Sequence, residues 1–152
     1  MRPTTLSDQG GHRHSLRSSF NSLGIFILRL GTGLMLAGHA LPKLEMLMDG
    51  RAETWLDPLG WGSALSLLLC CAAELVGSLC LVLGLLTRAA ALVLAFNFAV
   101  VISVVLPKPD LNLQELAFFY LLACITLLCT GAGRFSLDRF VIPRLMGLLR
   151  KD

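Results

Sequence analysis

The chain has 152 residues, enough for a single domain, and its formal net charge is +3. Hydrophobic residues make up 55% of it, charged residues only 15%, and the mean hydropathy is +0.74. These values exclude an ordinary soluble domain and predict an integral membrane protein. The basic residues are scattered over loops and tails instead of alternating with aromatic residues along one surface, which argues against nucleic-acid binding.

The first 22 residues are polar, rich in Ser, Gly and basic residues, and lack hydrophobic periodicity. This pattern predicts a disordered cytoplasmic tail over residues 1–22. A cleavable signal peptide is the alternative, because residues 23–37 resemble an apolar signal core and "GHA" at 38–40 resembles a cleavage site. The long polar leader, the Arg29 interruption and three later apolar stretches favour an uncleaved first span.

Four apolar stretches follow, each close to the ~20 residues that cross ~30 Å of hydrocarbon as a helix. Helices are expected because lipid cannot satisfy an open strand edge. The predicted fold is therefore all-α, an integral membrane four-helix transmembrane bundle that forms a domain over residues 23–138. The predicted spans are residues 23–41, 63–86, 89–106 and 113–131.

Three connecting segments add to this prediction. The segment "LLTRAAA" is so short that the second and third spans must be antiparallel neighbours. The loop 42–62 holds Trp55 and Trp61, a residue type that anchors at the headgroup level, and it is either a surface-lying helix or a linker. Residues 139–152 alternate aliphatic residues with Arg, which predicts an interfacial amphipathic helix interrupted near Pro143.

Lys and Arg are unevenly divided between the two ends of the predicted spans. Nine flank one side, three flank the other, and Arg29 lies inside the first span. The excess places both termini in the cytoplasm. The nine are Arg2, Arg13, Arg17, Arg88, Arg134, Arg139, Arg144, Arg150 and Lys151, and the three are Lys43, Arg51 and Lys108.

Several polar side chains fall within the predicted spans, and four of them bear on function. At 1.5 Å per residue from the cytoplasmic side they lie at about 9 Å (Arg29), 12 Å (Asn97), 18 Å (Glu74) and 24 Å (His39). A charge at such depth costs at least ~2.5 to 3.5 kcal/mol and usually marks a pathway, a partner or a working site. Arg29 and His39 share one broad face of the first span with Gly33 and Ala40, small residues that let another helix approach closely.

We expect Arg29, His39 and Glu74 to line a polar chamber that binds a small hydrophobic substrate with a polar head. A quinone fits this description, because a carboxylate and an imidazole can exchange protons with quinone oxygens. The alternative is a structural ion pair between Arg29 and Glu74 that fixes the helix register without chemistry.

Three further polar residues are assigned to the same substrate-binding region. Lys43 lies at the outer mouth, where snorkelling to headgroups is the alternative. Asn97 can hydrogen-bond between helices. Glu115 opens the fourth span, where a carboxylate at a helix N-terminus is electrostatically favourable, and it would face the outer mouth near Lys43.

The five cysteines all lie inside predicted spans, are odd in number and form no CxxC pair or metal-ligand spacing. We therefore interpret them as packing residues rather than redox thiols, and we predict no metal site. They are Cys70, Cys71, Cys80, Cys124 and Cys129.

A cytoplasmic motif, "GAGRFSLD", follows the fourth span at residues 131–138. Gly131 or Gly133 can end that span in a left-handed conformation, and Ser136 or Asp138 can cap the helix that follows. Arg134 of this motif, and Arg88 of the short turn, are predicted to lie at the cytoplasmic surface, where anionic lipid is the expected partner.

Taken in order, four segments resemble the DoxX family of small four-helix bacterial membrane proteins. They are "LRLGTGLMLAGHALPKL", "ELVGSLCLVLGLLTRAAAL", "QELAFF" and "GAGRFSLD", and they cover roughly residues 23–138. Where the family often has paired glycines after the second-span Glu, this chain has Gly77 followed by Ser78.

The resemblance implies redox work at the bacterial inner membrane, with the chain as a subunit of a quinol-linked oxidoreductase, such as thiosulfate:quinone oxidoreductase, or of a complex that counters oxidative or thiol stress. The chain has no dinucleotide, haem or iron-sulfur motif, so we expect no covalently bound cofactor, a quinone as substrate and redox partner proteins. A homo-oligomer is also possible. A non-catalytic assembly subunit is one alternative, and a small-molecule transporter is a second, although the third and fourth spans carry few polar residues for a water-lined path.

Overall fold

A computed structural model describes the backbone of residues 8–105, 111–139, 141 and 143, and the side chains of residues 19–104, 114–139, 141 and 143. This part of the chain is largely helical and contains no strand, which confirms the predicted all-α fold. Its four helices are α1 (Asp8–Met48), α2 (Ser63–Leu83), α3 (Thr87–Val100) and α4 (Leu111–Thr130). A 3-10 turn (Ala52–Thr54) lies between α1 and α2, and a π turn (Val101–Val105) extends α3.

Three helical segments are long and apolar enough to cross a membrane, and a fourth is apolar but shorter. The three are Ser19–Met48, Ser63–Leu83 and Thr87–Val104, and the fourth is Gln114–Thr130. They coincide with the four predicted spans, with end points displaced by a few residues.

Helix α1 is much longer than its predicted span. It begins at Asp8, so residues 8–22, predicted to be a disordered tail, continue the helix instead. Extension is easy once a span is formed, because each added residue gains a hydrogen bond without a new nucleation step. At its other end α1 runs through Pro42 to Met48, and it thereby carries Lys43 to the face of α2. Residues 1–7 lie outside the described residues.

The bundle is built from consecutive helix pairs. α1 packs mainly against α2, α3 packs against α4, and α2 contacts α3 across the turn 84–86, as the short connection predicts. Fully buried leucines from all four helices meet in the core. Large apolar side chains such as Phe96 and Phe119 are exposed on the outside, where lipid is the expected solvent.

Gly33 allows the closest approach between α1 and α2. A Cβ atom at this position would lie 2.8 Å from Val82 Cγ2 and 2.9 Å from the Ser78 carbonyl oxygen. Ala40, further along the same face, is fully buried. The predicted role of these small residues in helix packing is therefore confirmed, and Ser78 does not prevent the contact.

The end of the bundle formed by the α2–α3 turn and the loop 131–138 is here called the turn end. Gly84, with φ +67°, ends α2, and Gly131, with φ +74°, follows the last residue of α4, as predicted for that glycine. Asp138 was predicted to cap the helix that follows it. It instead caps α3, because its carboxylate accepts the N–H groups of Leu86 at 2.5 Å and Thr87 at 2.9 Å.

Ser136 was the other predicted cap, and its hydroxyl donates to the Gly133 carbonyl oxygen at 3.0 Å. Of the predicted amphipathic segment 139–152, residues 139, 141 and 143 are described and are helical. The rest of that segment, residues 140, 142 and 144–152, lies outside the described residues.

Candidate functional site

The charge of Glu74 is balanced by Lys43. The Lys43 Nζ atom lies 2.5 Å from both Oε1 and Oε2 of Glu74. The Glu74 side chain is 2% exposed and the Lys43 side chain 19% exposed, so this is a buried ion pair between α1 and α2. Such a pair needs further hydrogen bonds to satisfy its remaining lone pairs and protons.

Two more side chains complete this group. Asn97 of α3 donates from Nδ2 to Glu74 Oε1 at 3.2 Å. The Cys70 sulfur lies 3.6 Å from Lys43 Nζ and 3.6 Å from Glu74 Oε1. These four residues, Lys43, Cys70, Glu74 and Asn97, are here called the Glu74 cluster. The cluster joins three helices around one carboxylate.

Arg29 does not belong to this cluster, which corrects the predicted Arg29, His39 and Glu74 chamber and the alternative Arg29–Glu74 ion pair. Its side chain is buried at the turn end, where Nη1 donates to the Ala132 carbonyl at 2.9 Å and Nη2 to the Phe135 carbonyl at 2.5 Å. Gly84 packs against its guanidinium, and Gly84 lies ten residues, or about 15 Å of helix, from Glu74. The loop 131–138 turns sharply and presents free carbonyls, which a guanidinium with five donors satisfies.

The two other predicted site residues, His39 and Glu115, lie in different places. His39 is exposed, and its ring contacts the Tyr120 ring edge-on with centroids 5.7 Å apart. Glu115 is exposed at the start of α4, and its carboxylate forms no ion pair with the part of the chain that the structure describes. His39 therefore lies near the Glu74 cluster, and the expected approach of Glu115 to Lys43 is not observed.

Two cavities border the Glu74 cluster, and Lys43 lines both. The larger, here called the aromatic cavity, has a volume of about 360 Å³ and lies beneath the loop 49–62. Its lining combines three aromatic rings with three polar or sulfur-containing residues of the cluster, namely Trp55, Trp61, Phe96, Lys43, Cys70 and Asn97. The Lys43 ammonium lies 5.9 Å from the centroid of the Trp55 ring.

The second cavity, here called the small cavity, has a volume of about 230 Å³ and lies between α1, α2, α3 and α4. Its polar lining consists of His39, Lys43, Glu74 and Tyr120. Lys43 therefore lines both cavities, whereas Glu74 lines the small cavity alone. A molecule in the aromatic cavity can reach the ion pair through the Lys43 ammonium.

Tyr120 is the site residue that sequence reasoning missed. It is 6% exposed and stacks on Phe98 with centroids 5.1 Å apart. Its hydroxyl is buried and has no hydrogen-bond partner among the described residues. Tyr120 is the one Tyr of the chain and falls within a largely apolar span. A buried Tyr hydroxyl usually has a hydrogen-bond partner, so its position in the sequence was the signal that could have revealed it.

The residues of the predicted cytoplasmic motif come together at the turn end. They line an open cleft of about 1,050 Å³, together with Arg139. Arg88 and Arg134 are exposed, whereas the Asp138 carboxylate is buried in its capping role. The motif is therefore partly structural, and its two arginines remain available to bind anionic groups.

Helices apolar and long enough to cross a membrane, packed around the buried Lys43–Glu74 ion pair, define a helical membrane protein. The sequence model of the DoxX family matches residues 24–107, more than half of the chain. The chain therefore belongs to the DoxX family, as the resemblance predicts. The matched region contains the whole Glu74 cluster, whereas Tyr120 lies beyond it. No match was found among curated proteins, and none among solved structures.

Proposed function

We propose that the protein binds the head of a quinone or quinol beside the Glu74 cluster and acts as the membrane subunit of a redox complex. The observation that carries this proposal is the Lys43 ammonium, which lines an aromatic cavity and is held there by the buried Glu74 carboxylate. A volume of about 360 Å³ falls within the range of small-molecule sites, and such sites combine apolar walls with a few placed polar groups.

The chemistry of the cluster suits a quinone head. The Lys43 ammonium can donate a hydrogen bond to a quinone oxygen, while Trp55, Trp61 and Phe96 offer flat apolar surface to the ring. When a quinol is oxidised it loses two electrons and two protons. Lys43 can relay the two protons, one after the other, to the Glu74 carboxylate, and the two electrons pass to a redox partner protein.

The proposal also includes a location. We place the protein in the bacterial inner membrane with both termini in the cytoplasm and the loop 49–62 on the outer side. The Trp55 and Trp61 rings then lie at the headgroup level, where a lipid-soluble quinone enters from the bilayer. The arginines of the turn-end cleft would face the anionic lipids of the inner leaflet.

One alternative is supported by a specific observation. The Glu74 cluster joins α1, α2 and α3, and a buried ion pair of this kind can fix the register of helices without any chemistry. A non-catalytic assembly subunit would need the same contacts. A thiol-linked reaction at Cys70, which touches both charges of the pair, is the other form that the redox role can take.

Intrinsic fluorescence tests the proposal directly, because both tryptophans of the chain line the aromatic cavity. A short-chain quinone is titrated into the purified protein in lipid nanodiscs, and saturable quenching is expected. Glu74→Gln should weaken binding of this quinone at least about ten-fold, since about 1.4 kcal/mol of lost interaction has that effect. Glu45, an exposed carboxylate of α1, gives the matched control Glu45→Gln.

Absence of saturable quenching contradicts the quinone site. Quenching that is equal in wild type and Glu74→Gln supports the assembly role for the carboxylate instead. Mass spectrometry of the protein purified in native lipid adds a second readout, because a bound quinone, a redox protein or a thiol enzyme should copurify.

A further inference from the structure

We propose that the small cavity is a hydrated chamber in which the Tyr120 hydroxyl binds water, and that this water connects Glu74 to His39 as a path for protons. The hydration of the chamber does not depend on the proposed quinone chemistry, whereas its use as a proton path rests on that chemistry. Neither tyrosine binding of water nor a second chamber is needed for a quinone to bind in the aromatic cavity.

The orphaned hydroxyl of Tyr120 is the first observation. The Tyr120 side chain is 6% exposed and lines the small cavity. Its hydroxyl is buried and has no hydrogen-bond partner among the described residues. Buried hydroxyls are almost always hydrogen-bonded, to protein or to ordered water. The ring is held on both sides, stacked on Phe98 and edge-on to His39, so the hydroxyl cannot turn away from the cavity at low cost.

The volume and lining of the cavity are the second observation. About 230 Å³ is room for several water molecules at ~30 Å³ each. A stable internal water needs two to four polar partners, and this cavity offers Glu74, Lys43, His39 and Tyr120 from three helices. An apolar ligand would leave the Tyr120 hydroxyl without a partner.

The positions of Glu74 and His39 define the two ends of a route through the chamber. Glu74 forms part of its wall, and His39, which is exposed, forms another part. The titratable groups that face Glu74 are Lys43 and His39 from α1, Cys70 from α2 and Tyr120 from α4, while α3 contributes the neutral Asn97. An imidazole ring has one nitrogen that can accept a proton and one that can donate a proton, which suits His39 to pass protons on.

The proton transfer itself is simple to balance. A quinol hydroxyl in the aromatic cavity gives its proton to Lys43 Nζ as the Lys43 ammonium passes one of its own protons to the Glu74 carboxylate, 2.5 Å away. The new carboxyl O–H bond then breaks as a chamber water accepts the proton, and the proton reaches the unprotonated ring nitrogen of His39. No electron moves in these steps. The quinone and the proton therefore use different cavities, and Lys43 lines both.

Tyr120→Phe distinguishes an occupied chamber from a dry one. In a dry cavity, loss of an unsatisfied hydroxyl stabilises the protein, whereas in a hydrated one it removes a hydrogen bond. We expect Tyr120→Phe to lower the thermal midpoint by about 2–4 °C in detergent. Thr126→Val, which removes an exposed hydroxyl from the same helix, is the control for the chemical change. An unchanged or raised midpoint in Tyr120→Phe overturns the proposal.

Thiol labelling tests hydration independently. A cysteine placed at Ala117, which lines the small cavity, should react with a charged, water-soluble methanethiosulfonate at least ten-fold faster than one placed at Phe119 on the exposed apolar face. The native, fully buried Cys124 of the same helix is an internal control, and peptide mass spectrometry separates the sites. Equal rates at 117 and 119 overturn the proposal.

The proton path is tested by a rapid acid jump in a Trp61→Phe background. Trp55 then reports on Lys43, whose ammonium lies 5.9 Å from its ring, and hence on protonation of Glu74. We expect the fluorescence response to be at least ten-fold slower in Tyr120→Phe than in the parent. Equal rates overturn the path. No quinone is present in any of these three experiments, so their failure and that of the quinone titration are separate results.

Discussion

At the scale of single residues, Glu74 is the feature that most needs a physical explanation. A lone carboxylate in an apolar span costs at least ~2.5 to 3.5 kcal/mol. Lys43 offsets this cost by placing its ammonium 2.5 Å from both carboxylate oxygens, and Asn97 satisfies a further lone pair. The Glu74 carboxylate is therefore charged as one half of an ion pair, and its effect on the free energy of unfolding depends on Lys43.

Removal of that partner should be severe. Lys43→Met leaves an unpaired buried carboxylate, and we expect the free energy of unfolding to fall by about 3–5 kcal/mol. Thermal or denaturant unfolding in detergent measures this. The double variant Lys43→Met with Glu74→Met should regain most of the loss, because an apolar pair of similar volume avoids the desolvation of both charges.

A matched control is available in the exposed pair Arg51–Asp49, whose N···O distance is 2.8 Å and whose side chains are 60% and 57% exposed. Arg51→Met should cost at most about 1 kcal/mol. A Lys43→Met variant as stable as Arg51→Met would show that the Glu74 charge reaches water without Lys43.

Asp57 gives a pH dependence outside the membrane spans. Its carboxylate accepts the Ser66 hydroxyl at 2.7 Å and the Gly62 and Trp61 N–H groups at 2.7 and 3.0 Å. The Ser66 hydroxyl first, and then the Gly62 N–H, hold the pKa of Asp57 below its ordinary 3.8. Because the folded pKa is depressed, this stabilisation is complete above pH 3.8 and is lost as pH falls through the folded value.

We therefore expect the Trp61 environment to change in acid. In a Trp55→Phe background, Trp61 fluorescence should be constant at neutral pH and shift between about pH 5 and pH 1. Ser66→Ala removes the largest cause of the depressed pKa, so the transition should move to higher pH. In Asp57→Asn the transition should disappear, and its persistence would assign it to another group.

At the scale of residues, the sequence drew attention to Glu74 but did not identify Lys43 as the partner that the structure gives it. Depth along each span was calculable, which located Glu74 and Asn97, but the choice between Arg29, His39 and Lys43 depends on how the helices are placed side by side. Arg29 pairs with carbonyls of a loop more than 100 residues away. No local pattern contains that contact, and none contains the stacking of Tyr120 on Phe98.

At the scale of elements, the α1–α2 contact shows how one missing side chain sets a helix distance. The ideal Cβ of Gly33 would collide with Val82 and with the Ser78 carbonyl, whereas a Cβ at Gly31 meets nothing within 4 Å. Gly33→Ala should therefore destabilise by about 1–3 kcal/mol through overpacking. Gly31→Ala, two residues earlier, should be neutral or stabilise by up to about 1 kcal/mol through helix propensity.

Unfolding of the two variants in the same detergent measures the difference. Equal stabilities would indicate that α1 and α2 shift apart freely, and the Lys43–Glu74 distance would then not be fixed by this contact. Comparison of the two glycine variants therefore tests whether the α1–α2 contact fixes the Lys43–Glu74 distance.

Element boundaries were predicted well where a local signal exists and poorly where it does not. Gly131, one of the two glycines expected to end α4, adopts the left-handed conformation that glycine takes easily. Asp138 was expected to cap its own helix, yet it caps α3 about 50 residues earlier, because the loop 131–138 folds back onto the α2–α3 turn. Its N–H also donates to the Gly84 carbonyl at 2.9 Å, so the two chain segments hold each other.

At the scale of the whole molecule, the structure sharpens the charge asymmetry on which orientation depends. Arg29 was counted with neither side, but it bonds to the loop 131–138 and so belongs to the turn end. Lys43 was counted with the opposite end, but its charge is neutralised by Glu74. The balance of basic residues is then ten against two, with Arg51 and Lys108 alone at the far end.

This stronger bias predicts both termini on the cytoplasmic side. A reporter that fluoresces only in the cytoplasm should be active when fused to either end of the chain in bacterial cells. An alkaline phosphatase domain, which is active only outside the cytoplasm, should be active when inserted at Gly50 in the loop 49–62. The opposite pattern would reverse the orientation, and it would also place the aromatic cavity and His39 on the cytoplasmic side. Protons from the small cavity would then be released inward, so the topology decides whether quinol oxidation at this site moves charge across the membrane.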